Sequence, residues 1–300
     1  MQKTLDYIID SISSKNKLHA KKIKNNIKNF DEEYYTRADN FFKKYLTILQ
    51  KDNKTIDYAI DCYLQMIADI NYETVQFAKT GEYSSKSFEE VNKRVYSNPE
   101  VMKYYVHGIL MSQFLWAHHY KIHTFFSKII KENSNHISRY LEVGGGHGLY
   151  ASEAIKIIGK QSTFHLVDIS QSSLELAKMM IDNDTVSYFH SDIFHFEPCT
   201  KYDFITMGEV LEHVEEPGKL LKKLYDLLED NGKLFITAPT NGPTIDHIYL
   251  FKNADEIRNL IASAGYFIEK EYCVYAEDVS PEIAEKYKVS MMFAGILKKK

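Results

Sequence analysis

Residues Arg139–Tyr150 read RYLEVGGGHGLY, and this stretch constrains the fold more than any other. A short apolar run, Tyr140, Leu141 and Val143, ends in an acid and three spaced glycines: Glu142, Gly144, Gly146 and Gly148. A helix-like run, Ala151–Ile158, follows directly. A strand, a glycine turn and a helix N-terminus let backbone approach a ligand closely, because glycine reaches positive φ without a steric penalty. The spacing is not that of a dinucleotide loop, G-x-G-x-x-G. Counted from Gly144 its last position falls on Leu149, and counted from Gly146 on Ala151.

Beyond residue 136 the pattern alternates. Strands are predicted at 139–143, 163–168, 185–190, 202–207, 233–238, 266–275 and 288–297, and helices at 148–159, 171–182, 217–229 and 254–264. Leu220, Leu221, Leu224, Leu227 and Leu228 share one helix face, and Asp230-Asn231-Gly232 is a turn signal after it. Asn253 with Glu256 three residues on is a capping-box variant, and Gly265 suits a helix stop. Such alternation predicts an α/β, doubly wound sheet whose ligand sits at the carboxyl ends of the strands, beside the switch point at strand 1. Gly144–Gly148, Asp168, Asp192, Gly208 and Glu209 all fall at those ends.

Residues 1–136 read as helix, interrupted only by Pro99, Gly81 and Gly108. Ile56, Ala59, Ile60, Tyr63, Ile67 and Ile70 repeat at helical spacing. Asn98-Pro99-Glu100 is a helix start, with a cap, a proline in the first turn and an acid at the dipole's positive end. That helix is predicted to run to Lys131. No linker separates this part from 137–300, so 1–136 is expected to be a helical lid or substrate domain packed on a catalytic domain, with a surface for a homodimer.

A net charge of -4 and a pI near 6.3 argue against nucleic acid as a partner. The six lysines of Lys15–Lys28 have no interleaved aromatic and read as a solvated helix face. No run approaches the ~18 apolar residues of a membrane span, so no membrane partner is expected. The first residues carry acids in their apolar patch and no small-residue cleavage site, and Cys62, Cys199 and Cys273 are widely spaced. Free thiols and a cytoplasmic location are the expectation.

Four segments, taken in order, resemble the class I S-adenosylmethionine-dependent methyltransferases. The acid-glycine loop looks like their motif I. Asp168 ends the run STFHLVD, twenty residues after Gly148, where a carboxylate can accept both ribose hydroxyls. His190-Ser191-Asp192-Ile193 follows a third strand. Then YDFITMGEVLEHV and GKLFITAP, Tyr202–Val214 and Gly232–Pro239, are similar to the branch that includes the ubiquinone-biosynthesis methyltransferases. The resemblance covers Ser138–Lys300. It implies a seven-stranded sheet with an antiparallel last strand, and S-adenosylmethionine bound by Glu142, Gly144, Gly146, Gly148, Asp168, Ile169, Asp192, Ile193, Gly208 and Glu209. Asp192 would reach the adenine amino group and Ile193 supply a backbone amide. It implies methylation of a small molecule at O, N or C in bacterial specialised metabolism. The same fold also hosts aminocarboxypropyl transfer and cyclisation of the cofactor, which release methylthioadenosine.

Methyl transfer from a sulfonium is a direct displacement, so the protein aligns the groups and takes a proton. His213 after strand 4, and Asp246 and His247 after strand 5, are the candidates for the catalytic base. His213 with Asp246 and His247 offers a second use, as ligands of a divalent metal with open positions for a chelating substrate. The cluster from Ser112 to Tyr120, with Tyr104, Tyr105 and His107 before it, reads first as packing and second as part of a substrate pocket. A ring there could steady the sulfonium by cation–π contact.

Overall fold

A computed structural model of the chain describes residues 3–300. Long helices come first: α1 Thr4–Lys15, α2 Lys17–Ile27, α3 Glu32–Lys51 and α4 Ile56–Thr80. Asn16, Asp31 and Thr55 cap three of them through side chains that accept the backbone N–H of the helix's third residue. Gly81 ends α4 in the left-handed region, φ 72°. A short helix, α5 Phe88–Val91, runs into a π-helical turn, Asn92–Tyr96. Asn98 then caps α6 Pro99–Leu115, as predicted.

The sequence puts one helix from Pro99 to Lys131, but the chain breaks at Trp116, which is extended (φ -107°, ψ 121°), and α7 runs Ala117–Asn133. No glycine or proline marks the break. Trp116 is held by tertiary contacts instead: its indole N–H donates to the Tyr63 hydroxyl at 2.8 Å, and its ring packs on His118 and His119.

The sheet follows, with β1 Arg139–Val143, α8 Leu149–Ile158, β2 Thr163–Asp168, α9 Gln171–Ile181, β3 Val186–His190 and β4 Tyr202–Gly208. It is completed by α10 Pro217–Leu227, β5 Leu228–Thr240, α11 Ala254–Ser263, β6 Tyr266–Tyr275, α12 Pro281–Lys286 and β7 Met291–Lys299. The strand order is β3-β2-β1-β4-β5-β7-β6. Only β7 is antiparallel to its neighbours. Val143 lies beside Val167 on one side and Met207 on the other, and Met207 beside Ile236, an apolar row expected of strands covered on both faces. Two details differ from expectation. β5 begins before the Asp230-Asn231-Gly232 turn, with a register shift opposite Tyr202/Phe204, and the β6–β7 connection contains α12.

Three apolar clusters hold these layers. One lies under α10 and α11 and another between α3, α4 and α6, the latter reaching Leu176 and Met180 of α9. The third joins Ile122, Phe126, Ile129 and Ile130 of α7 to Tyr150, Phe204 and Phe235, so α7 covers a sheet face. The helical segment thus packs on the sheet layer without an intervening linker. Lys44 of α3 adds a bond to the Met180 carbonyl at 2.5 Å. No helix of the described residues is long and apolar enough to cross a membrane.

Candidate active site

The chain runs from β1 outward to β3 on one side and from β4 outward on the other, which makes β1/β4 the switch point. The glycine loop leaves β1 there. Gly144 has φ 65°, and a Cβ on it would lie 2.5 Å from Val210 Cγ2. Gly208, at the tip of β4, leaves no more room, since its Cβ would lie 2.7 Å from the Tyr150 ring. Only glycine lets the two loops approach this closely.

Asp168 ties the loop down. Its Oδ2 accepts the Gly146 N–H at 2.8 Å and its Oδ1 the Ser170 N–H at 2.7 Å. Burial raises its pKa, and the two amides oppose that. Glu142 is 2% exposed and one of its oxygens has no partner. Burial pushes its carboxyl up to about 8, with the Asp168 charge adding to the effect. Asp192 accepts the Phe194 N–H at 2.9 Å and opens a 3-10 turn at Ile193. All of these, with Ile169, Gly208 and Glu209, line one cavity of about 1360 Å³.

The opposite wall comes from the helices, including Tyr96, Tyr105, Trp116, His118 and His119. His118 Nδ1 is buried without a partner. His119 Nδ1 lies 3.0 Å from Ser112 Oγ, while its Nε2 faces Glu209 Oε1 at 3.7 Å. Glu209 has φ 54°, held by its N–H bond to Thr237 Oγ1 at 3.0 Å. Burial, and then the Asp246 charge, push its carboxyl up to about 7.

The loops after β4 and β5 bring the predicted His213, Asp246 and His247 together. The two imidazole rings are 4.9 Å apart at 79°. Backbone bonds fix this meeting, since the Glu212 carbonyl accepts the N–H groups of Ile248 at 2.8 Å and Tyr249 at 2.9 Å. Asp246 faces the helices. Tyr105 and Thr244 each donate to its Oδ1 at 2.7 Å, and Tyr96 donates to its Oδ2 at 3.2 Å. Burial would raise its pKa, but the two histidines with the Tyr105 and Thr244 hydrogen bonds outweigh that and lower it. Burial, reinforced by His213, brings His247 down to about 3.

Glu212, inside EVLEHV, His213 and His247 each place a ligand-type atom within 4.8 Å of the others, and Asp246 is not part of that group. Tyr96 was missed from the sequence. The π-helical turn that delivers it has no sequence signature, although such turns recur at functional sites. The same helical stretch grips the β5 loop: Tyr83 OH accepts the Gly242 N–H at 3.0 Å, Ser85 Oγ donates to the Ile245 carbonyl at 3.3 Å, and Arg94 donates to that carbonyl too.

The sequence profile of the methyltransferase domain family matches residues 116–276, more than half of the chain. Malonyl-[acyl-carrier protein] O-methyltransferase 1 of Ilyobacter polytropus is 27% identical over 152 residues, 43% of this chain and 56% of the relative. The mitochondrial ubiquinone biosynthesis O-methyltransferase of Schizosaccharomyces pombe is 31% identical over 120 residues, 38% of this chain and 43% of the relative. The chain spans about half the length of the curated relatives it matches. Among solved structures, mitomycin 7-O-methyltransferase MmcR aligns with a TM-score of 0.54 at 11% identity, over 77% of this chain and 68% of MmcR. The N-methyltransferase NodS of Bradyrhizobium japonicum, solved with S-adenosyl-L-homocysteine, aligns with a TM-score of 0.50 at 13% identity, over 72% and 99% of the two chains. These likenesses are to the fold. With the glycine loop, the strand order and the profile match, the chain belongs to the class I S-adenosylmethionine-dependent methyltransferase family.

Proposed function

We propose that this protein transfers the methyl group of S-adenosylmethionine to a small molecule held between the sheet and the helices. One observation carries the reading: a single cavity of about 1360 Å³ runs from the glycine loop to the two histidines and the helical wall. That exceeds the ~300–1,000 Å³ usual for one ligand, so it suits a cofactor and an acceptor together. In this reading Gly144–His147, Glu142, Asp168, Asp192, Ile193 and Glu209 hold the cofactor, with Gly148 turned to Ile181 and Ala177, and His213 and His247 stand beside the acceptor. Asp246 positions His213. Residues 1–136 contribute the lid; its covering part is the stretch up to Leu115, since α7 packs under the sheet.

Incubation with S-adenosylmethionine and a panel of metabolites, read by mass spectrometry, tests the proposal. S-adenosylhomocysteine formed with an equimolar methylated product is the expected result. Methylthioadenosine in its place would overturn methyl transfer.

A further inference from the structure

We propose that His19 and Lys22 of α2, with His118 at the start of α7, form a subsite for an anionic group, a carboxylate or a phosphate, carried by the methyl acceptor. The inference rests on the small-molecule methyl-transfer reading. It adds the charge of the acceptor and the end of the cavity where that charge lies.

His19, Lys22, Ile23 and Asn26 of α2 line the cavity, at the i, i+3, i+4, i+7 spacing of one helix face. Three of these four are polar, whereas a helix that only covers a core turns an apolar stripe inward. Trp116 sets the tautomer of His19. The indole N–H can only donate, and it donates to the Tyr63 hydroxyl at 2.8 Å. The hydroxyl proton then goes to His19 Nε2 at 2.7 Å, which leaves the imidazole proton on Nδ1. Burial lowers His19 to about 4, so near neutral pH it is an uncharged ring with one N–H to offer.

His118 faces the same space. It is less than a tenth exposed, it lines the cavity, and neither ring nitrogen has a hydrogen-bond partner among the described residues. A buried polar side chain without a partner is costly, and a ligand oxygen there removes the cost. The first turn of α7 adds to the site. Its N-cap, Trp116, supplies no side-chain cap, so the positive end of the helix dipole is left for a ligand anion. The neighbouring His119 points elsewhere, with Nε2 toward Glu209 Oε1 at 3.7 Å. Burial, and then the Lys22 charge, lower both His19 and His118, which places the ammonium near both rings.

The charges of the lining are segregated. Around the glycine loop they are acids, Glu142, Asp168, Asp192 and Glu209. On the α2 side, Lys22 forms an ion pair with Glu277, and the segment that carries Glu277 adds Lys286 and Lys288. An acidic end suits the sulfonium, and a basic end beyond it suits an anion on the second ligand. An acceptor so held lies with its anion under α2 and its nucleophile toward the transferred methyl group.

The test uses full-length protein saturated with S-adenosylhomocysteine and titrated calorimetrically with benzoate, its neutral counterpart benzamide, and phenyl phosphate. Wild type should bind one of the two anions at least about tenfold more tightly than benzamide, since hydrogen bonds to a charged acceptor are the stronger ones. The anion preferred tells carboxylate from phosphate. His118→Phe and Lys22→Met should lose the preference and keep their affinity for benzamide and S-adenosylhomocysteine. His118→Gln, which retains an N–H donor, should keep part of it. Equal binding of anions and benzamide by wild type would overturn the subsite, as would equal weakening of both in the variants, the mark of a merely structural role. Weaker S-adenosylhomocysteine binding in His118→Phe with the anion preference intact would also overturn it and assign the ring to the carboxylate of the cofactor. If S-adenosylhomocysteine fails to bind wild type, the methyl-transfer reading falls separately, and the same titrations on the ligand-free chain still decide the subsite.

Discussion

Asp168 Oδ2 accepts the Gly146 amide at 2.8 Å, so the acid at the tip of β2 and the glycine loop of β1 form one unit before any ligand arrives. The acid expected to read a ribose also sets the shape of the loop beside it.

Asp168→Ala is expected to act twice. Hydrogen bonds to a charged acceptor are worth about 1.5–3 kcal/mol each, so S-adenosylhomocysteine affinity should fall at least tenfold. The loop should loosen as well, seen as faster hydrogen exchange at 144–148. Unchanged affinity by calorimetry would remove Asp168 from the cofactor site.

Gly144→Ala should cost more than its ~1 kcal/mol left-handed penalty, because its methyl group would meet Val210 Cγ2 at 2.5 Å. Cofactor binding should be lost and the melting temperature lowered. Adding Val210→Ala should recover part of the stability, since it removes the clash and leaves the φ strain. If the double variant melts no higher than the single one, the loop contact is not what Gly144 protects.

Acid should destabilise the fold in a defined window. Burial lowers His107 to about 4, His118 to about 3 and His123 to about 4. All three are less than a tenth exposed. Their folded pKa values lie below the unfolded value near 6.5, so the unfolded chain binds the extra protons. Their contribution is complete above about pH 6.5 and is lost as pH falls toward 4, at up to about 1.4 kcal/mol per pH unit for each group. Urea midpoints at a series of pH values should show this slope, and His118→Phe should flatten it. An unaltered slope in that variant would mean His118 does not titrate on unfolding.

The place where the chain is cut should matter. Ile122, Phe126, Ile129 and Ile130 of α7 share a core cluster with Tyr150 and Phe235. Each such side chain contributes roughly 1.5–3 kcal/mol when buried. A fragment 137–300 should therefore fail to unfold cooperatively, whereas 116–300 should keep the sheet. A stable 137–300 fragment that turns over substrate would refute both this packing argument and the lid.

The strands and the switch point at β1 were legible because buried parallel strands leave mostly apolar runs, such as Tyr140–Val143 and Phe204–Met207, punctuated by glycines and acids at their ends. Asn98 and Asn253 were legible as caps because capping is local. What escaped depends on distance along the chain. Trp116 breaks a helix through Tyr63, 53 residues away. Tyr96 reaches His213 across 117 residues and Asp246 across 150. Glu212 sits in an apolar run and shows its isolation only when two loops meet. His213, Asp246 and His247 do lie together, but which face each presents is a property of the tertiary structure.

Tyr83, Ser85 and Arg94 fasten the helical stretch to Gly242 and Ile245, immediately before Asp246 and His247. A door latched to the segment that carries Asp246 and His247 cannot swing without moving them. Exchange protection of 83–96 and 242–248 should rise and fall together, and independent protection would refute the link. In the proposed reading, admission of a ligand through this side and assembly of the geometry around His213 and His247 are then one event.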